Sequence, residues 1–139
     1  MKRIFIFLLM LVAVAGCKKK ETVYSDDLQG TWQVYKYLFR NVDQTQQFQN
    51  QYGGYTITFT NSGTFVESYH NASDSTTLNG TYSFTGNDEM LVLEDSTYTL
   101  VDTVLVSHYT KREYTIFNLT SSHVQLRNDS TQLYMSKLQ

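Results

Sequence analysis

YTITFTNSGTF, residues 55–65, alternates apolar and polar side chains, turns, and begins to alternate again. Successive side chains of a strand point to opposite faces, so Tyr55, Ile57 and Phe59 share one face and the threonines the other. Asn61, Ser62 and Gly63 supply the turn of a hairpin, and the chain returns with Phe65 and Tyr69 on one face. The rest of the chain repeats this pattern. Downstream, Leu78, Tyr82 and Phe84 alternate with Asn79, Thr81 and Ser83, and Gly80 takes an inward position where a bulge or sharp bend is expected. Gly86, Asn87 and Asp88 turn the chain into an apolar run at 90–93, and further strands are expected at 113–119, 123–127 and 133–138. Residues 97–109 are rich in β-branched side chains but carry no clear period. Upstream, residues 28–40 form a long strand, with Trp32, Val34 and Leu38 on one alternating face and Tyr35, Tyr37 and Phe39 on the other. Residues 41–54 are rich in Gln and Asn and end in Gly53-Gly54, which fits a loop or a short polar helix.

Composition agrees with an all-β body. The chain has 139 residues, 11 Tyr, 8 Phe and no Pro, so no proline interrupts any strand pattern. A net charge of −2, evenly spread, gives no basic surface for nucleic acid. The single Cys excludes an internal disulfide. A sequential antiparallel meander of about eight strands exposes its outer edges unless it closes, and closure into an up-and-down barrel removes them. Such a barrel is either filled by side chains or holds one small ligand.

Several stretches resemble the lipocalins. Gly30-Thr31-Trp32 is similar to their Gly-x-Trp signature, and residues 55–65 to their second hairpin. Residues 79–84 with 90–93, and 114–120 with 124–126, look like later strand pairs in the same order. The second lipocalin motif, Thr-Asp-Tyr, is absent. The whole of 28–139 resembles the lipocalin-like lipoproteins of Bacteroidota. That resemblance implies that Trp32 packs across the closed end of the barrel beneath a basic side chain from near the last strand. Arg127 is the first candidate and Lys137 the second. The inward aromatics Tyr55, Phe59, Phe65, Tyr69, Tyr82 and Phe84 would either fill the barrel or line a cup for an apolar or ring-shaped ligand.

The N-terminus has a different logic. Lys2 and Arg3 precede eleven apolar residues, Ile4 to Val14, and small residues then lead to Cys17. The run is shorter than the about 20 residues that span a bilayer. Val14-Ala15-Gly16-Cys17 resembles the lipobox of bacterial lipoproteins, which implies cleavage before Cys17 and acylation of its thiol and new amino terminus. One acyl chain binds a membrane only marginally, so two or three on one Cys make physical sense. Lys18, Lys19 and Lys20 would then lie at the headgroups, each adding about 1 kcal/mol near an anionic surface. Residues 1–16 are thus expected as a lipoprotein signal peptide, 17–27 as a lipidated tether and 28–139 as the barrel. Lys18 is not the aspartate that retains many such lipoproteins at the inner membrane, so the outer membrane is expected, on either its periplasmic or its external face.

No constellation for catalysis, metal or cofactor emerges. His70, His108 and His123 lack metal-site spacing, and no phosphate loop, Gly-x-Ser-x-Gly or His-Glu-x-x-His is present. The adjacent carboxylates Asp26-Asp27, Asp88-Glu89 and Glu94-Asp95 point to opposite strand faces or sit in turns, and are expected at the surface. Asp74-Ser75-Thr76 and Asp129-Ser130-Thr131 resemble the sites at which Bacteroidota O-glycosylate exported proteins. Ser75 and Ser130 are therefore candidate glycan sites. The expectation is a non-enzymatic, lipid-anchored envelope protein that binds a small apolar or amphipathic ligand. The alternative is a structural or partner-binding lipoprotein with a solid barrel.

Overall fold

The computed structural model describes residues 24–139. A short helix, α1 (Tyr24–Leu28), leads into β1 (Gly30–Phe39), a two-residue spur β2 (Val42–Asp43) and a second helix α2 (Thr45–Gln51). The meander then runs through β3 (Gly53–Phe59), β4 (Thr64–His70), β5 (Ser75–Thr85), β6 (Met90–Val101), β7 (Val104–Leu119), β8 (His123–Arg127) and β9 (Thr131–Lys137). Each strand pairs antiparallel with its neighbour, and β9 returns to pair with β1 over seven residue pairs, Trp32↔Lys137 to Phe39↔Thr131. Eight strands therefore close into an up-and-down barrel, as the hairpin spacing implied. The turns at 60–63, 86–89 and 120–122 gather at one end, with α1; those at 71–74, 102–103 and 128–130 gather at the other, with α2.

The first strand departs from simple alternation. Val34 faces Met135, but Lys36 faces Tyr134 and Tyr37 faces Leu133, so one extra residue is accommodated by a bulge at Tyr35. Everything after the bulge changes face. The inward set is Trp32, Val34 and Tyr37, not Trp32, Val34 and Leu38, and Tyr35 is left half exposed. Gly80 is the converse case. Pairing runs unbroken through it on both sides, so there is no bulge. Instead, a Cβ there would meet the Glu94 carbonyl oxygen first and then Cε1 of Phe65 at 2.6 Å, so the glycine lets both the β6 backbone and that ring approach closely.

The α1 end is closed and packed. Leu28, Trp32, Phe59, Phe65, Leu91, Leu126 and Met135 are fully buried. Trp32 Nε1 donates to the Leu28 carbonyl at 2.6 Å, which ties α1 across the barrel mouth. Residues 24–27, expected as tether, are thus helical and lead into this plug. The basic side chain over Trp32 is Lys137, whose Nζ lies 5.2 Å from the ring centroid and donates to the Asp27 carbonyl at 3.2 Å. Arg127 does not serve: β8 starts at the closed end, so its last residue lies at the open end, exposed and paired with Gln132. Gly30, at φ +115, completes the corner, because a Cβ there would meet Lys137 Cε at 2.6 Å.

Residues 97–109 form a two-stranded ribbon at the open end. β6 last pairs with β5 at Asp95, and β7 first pairs with β8 at Thr115. Between them the two strands pair only with each other, around a two-residue turn in which Asp102 and Thr103 both adopt left-handed φ. Tyr98, Val104, Leu105 and Tyr109 are exposed on this ribbon. Among the described side chains of 97–109 none is buried, so little selects a period in this sequence.

Candidate functional site: a tyrosine-walled cavity on a charged floor

The open half of the barrel holds a cavity of about 390 Å³. Its wall is aromatic. Tyr37 comes from β1 after the bulge, Phe48 from α2, Tyr52 from the end of α2, Tyr55 from β3 and Tyr69 from β4. The rings form one connected set: Phe48 stacks on Tyr37 at 4.7 Å, meets Tyr55 edge-on at 5.4 Å, and Tyr52 meets Tyr69 edge-on at 5.1 Å. Offset and edge-to-face pairs of this kind each add about 0.5–1.5 kcal/mol beyond area burial. Leu78 and Leu133 complete the apolar lining, and Thr97, Thr110 and Thr131 contribute hydroxyls.

The floor is ionic. Arg112 Nη1 donates to Glu67 Oε1 at 2.7 Å, and Nη2 donates to Asp95 Oδ2 at 3.0 Å. β4 and β7 are separated by two strands, so the Arg112 side chain crosses the interior to reach Glu67. The guanidinium lies 5.7 Å from the centroid of Phe65, which places it directly on the packed half. The carboxylates are nearly inaccessible, at 3% and 5% side-chain exposure, while Arg112 retains 27%. Its buried Nε has no hydrogen-bond partner among the described residues. Burial opposes the charge of Arg112, but the charge and hydrogen bond of Glu67 outweigh it and hold the guanidinium protonated even more firmly than usual. Burial pushes the Tyr55 phenol well above its usual range, and the negative charge of Glu67 pushes it further. Burial also raises the Tyr114 phenol, partly offset by Arg112.

Strand alternation sets these positions. Glu67 lies between Phe65 and Tyr69 on the inward face of β4, and Asp95 follows Leu91 and Leu93 on that of β6. Asp95, expected at the surface with Glu94, is therefore buried; Glu94 points the other way and accepts from the Tyr109 hydroxyl at 2.6 Å. A charged residue in an inward, period-two position is the sequence signal that marks Glu67.

The six expected lining residues divide by height along the barrel. Tyr55 and Tyr69 line the cavity. Phe59 and Phe65 are fully buried below the floor. Tyr82 packs edge-on to Phe59 at 5.1 Å and donates to the Thr60 carbonyl at 2.6 Å, and Phe84 packs edge-on to Tyr82 at 5.8 Å. Those four fill the closed end. Ser75 is exposed at the start of β5, and Ser130 lies in the β8–β9 turn, where its carbonyl accepts from the Arg40 amide at 2.7 Å. Cys17 and the expected signal peptide lie outside the described residues. Among the described residues no group of three or more His, Cys, Asp or Glu has the arrangement of a metal site.

An eight-stranded antiparallel barrel, plugged at one end by an N-terminal helix under a buried tryptophan and hollow at the other, is a lipocalin-like fold. Several solved structures are similar to it, among them the following two. A lipocalin-like protein from Bacteroides uniformis matches with a TM-score of 0.56 and 20% identity, over 81% of this chain and 99% of its own. An uncharacterised protein from Bacteroides eggerthii matches with a TM-score of 0.56 and 16% identity, over 81% of this chain and 100% of its own. At these identities the likeness is one of fold. No family model and no curated protein matches the chain.

Proposed function

We propose that the chain is a lipid-anchored protein of the cell envelope, held at the outer membrane through Cys17, whose barrel binds one small apolar or amphipathic molecule. The cavity carries this reading. Its volume of about 390 Å³ falls within the range of about 300–1,000 Å³ typical of small-molecule sites. An apolar, aromatic wall with a few convergent polar groups at its base is the usual make-up of such a site. The reading is of a binder rather than an enzyme, because Glu67 and Asp95 are both engaged by Arg112. The anchor rests on the lipobox-like residues 14–17, and glycans at Ser75 or Ser130 on their Asp-Ser-Thr context.

Native mass spectrometry of the protein from its own host is the test. A retained small molecule, lost in a Leu78→Trp variant that fills the cavity, is the expected result. A clean apo mass together with failure to bind any apolar dye would overturn it. The same spectra report the acyl mass on Cys17 and any hexose-sized increments. A structural, partner-binding role is the second reading, favoured by the exposed Tyr98, Val104, Leu105 and Tyr109 of the β6–β7 ribbon.

A further inference from the structure

We infer that the cavity selects ligands that join a ring or short hydrocarbon to a protonated amine or quaternary ammonium, and rejects carboxylates. This rests on the ligand-binding role proposed above and gives it a chemical class. Three observations converge. Among the described residues, Glu67, Asp95 and Arg112 are the only charged side chains lining the cavity, and two carboxylates against one guanidinium leave a net negative floor. The guanidinium is not presented as an open fork: its two terminal nitrogens are taken by Glu67 at 2.7 Å and Asp95 at 3.0 Å, and Phe65 lies 5.7 Å from it. A ligand carboxylate approaching the guanidinium would meet both of these carboxylates as like charges. The wall supplies the complementary attraction, since it is built from Tyr37, Phe48, Tyr52, Tyr55 and Tyr69, and an aromatic face carries the negative side of its quadrupole toward any cation that meets it. A desolvated ring wall above buried negative charge suits an organic cation, which keeps apolar surface around its charge.

The test compares three probes of nearly equal shape by calorimetry: phenethylamine, phenethyl alcohol and hydrocinnamate. Phenethylamine is expected to bind about tenfold or more tightly than hydrocinnamate, with the alcohol between them. Glu67→Gln and Asp95→Asn should each shrink that preference to roughly threefold or less, with a cooperative denaturant unfolding transition reporting that each variant is folded. Thr110→Lys places a cation in the exposed part of the lining, opposite Asp95 across the β6–β7 ladder, and should weaken the amine and strengthen hydrocinnamate. Hydrocinnamate binding as tightly as the amine would overturn the inference and leave the ligand-binding role intact. Failure of all three probes would also overturn it, and the host-derived native mass spectrum would then decide the ligand-binding role separately.

Discussion

Lys137 sits opposite Trp32 across the β1–β9 seam, and Gly30 leaves the room in which it folds over the indole. Its ammonium makes a cation–π contact and a hydrogen bond to the Asp27 carbonyl. Lys137→Met keeps the stem and removes the charge, and should cost about 1–2 kcal/mol in denaturant unfolding. Arg127→Ala, at the exposed far end of β8, should change stability by less than about 0.5 kcal/mol. Gly80→Ala tests a second contact. The added methyl collides with the Glu94 carbonyl oxygen and, at 2.6 Å, with the Phe65 ring; overpacking of that kind costs about 1–3 kcal/mol, and because the nearer atom belongs to the paired backbone of β6, Phe65→Leu in the same chain should not restore the unfolding midpoint. The Gly-x-Trp pair was legible as a signature, but the identity of its basic partner was not. That depended on which end of β8 faces the closed mouth, a fact of topology rather than of local pattern.

At the level of strands, period-two alternation was a good guide wherever one face is buried and pairing is regular. Residues 55–59 and 64–70 follow it, and the hairpin lies where the turn residues put it. It failed at β1, because a single bulged residue inverts everything after it and leaves no mark in composition. It was silent over 97–109 because none of the described side chains there is buried, so little selects a period. That silence has a measurable counterpart. Backbone pairs in the ribbon are bordered by no third strand on either side, whereas β1 is paired on both edges at Trp32. Hydrogen exchange should therefore label peptides spanning 98–107 well before those spanning 31–34, since local opening there breaks few contacts. Leu105→Lys should leave the unfolding midpoint within about 0.5 kcal/mol of the parent, because this side chain is exposed. A large loss would mean that the ribbon folds back onto the barrel in solution.

For the whole barrel, the interior divides into a filled half and a hollow half, with Glu67, Asp95 and Arg112 at the boundary. Alternation shows which residues face inward but not how high they sit, since height follows from the stagger of eight strands around the closed sheet. That is why Tyr55 and Tyr69 could not be separated in sequence from Phe59, Phe65, Tyr82 and Phe84. The boundary also makes an alkaline limit to stability. Burial, then the charge of Glu67, raises the Tyr55 phenol well above its usual range, and burial raises that of Tyr114. In the unfolded chain these phenols ionise near pH 10, so above about that pH the folded state binds more protons than the unfolded state. Stability then falls with rising pH: the contribution is fully present below about pH 10 and is lost as pH climbs toward the raised folded-state values. Arg112 does not counter this, because its ion pairs hold it protonated beyond that range. The denaturant midpoint should be nearly level from about pH 7 to 9 and decline steeply past about pH 10, where the unfolded-state phenols ionise. Tyrosinate absorbance should lag behind that of an unfolded control over the same window. Tyr55→Phe removes the group held furthest from its usual range while keeping the ring in the wall, so it should flatten the decline. An equally steep decline in that variant would assign the alkaline limit to other groups.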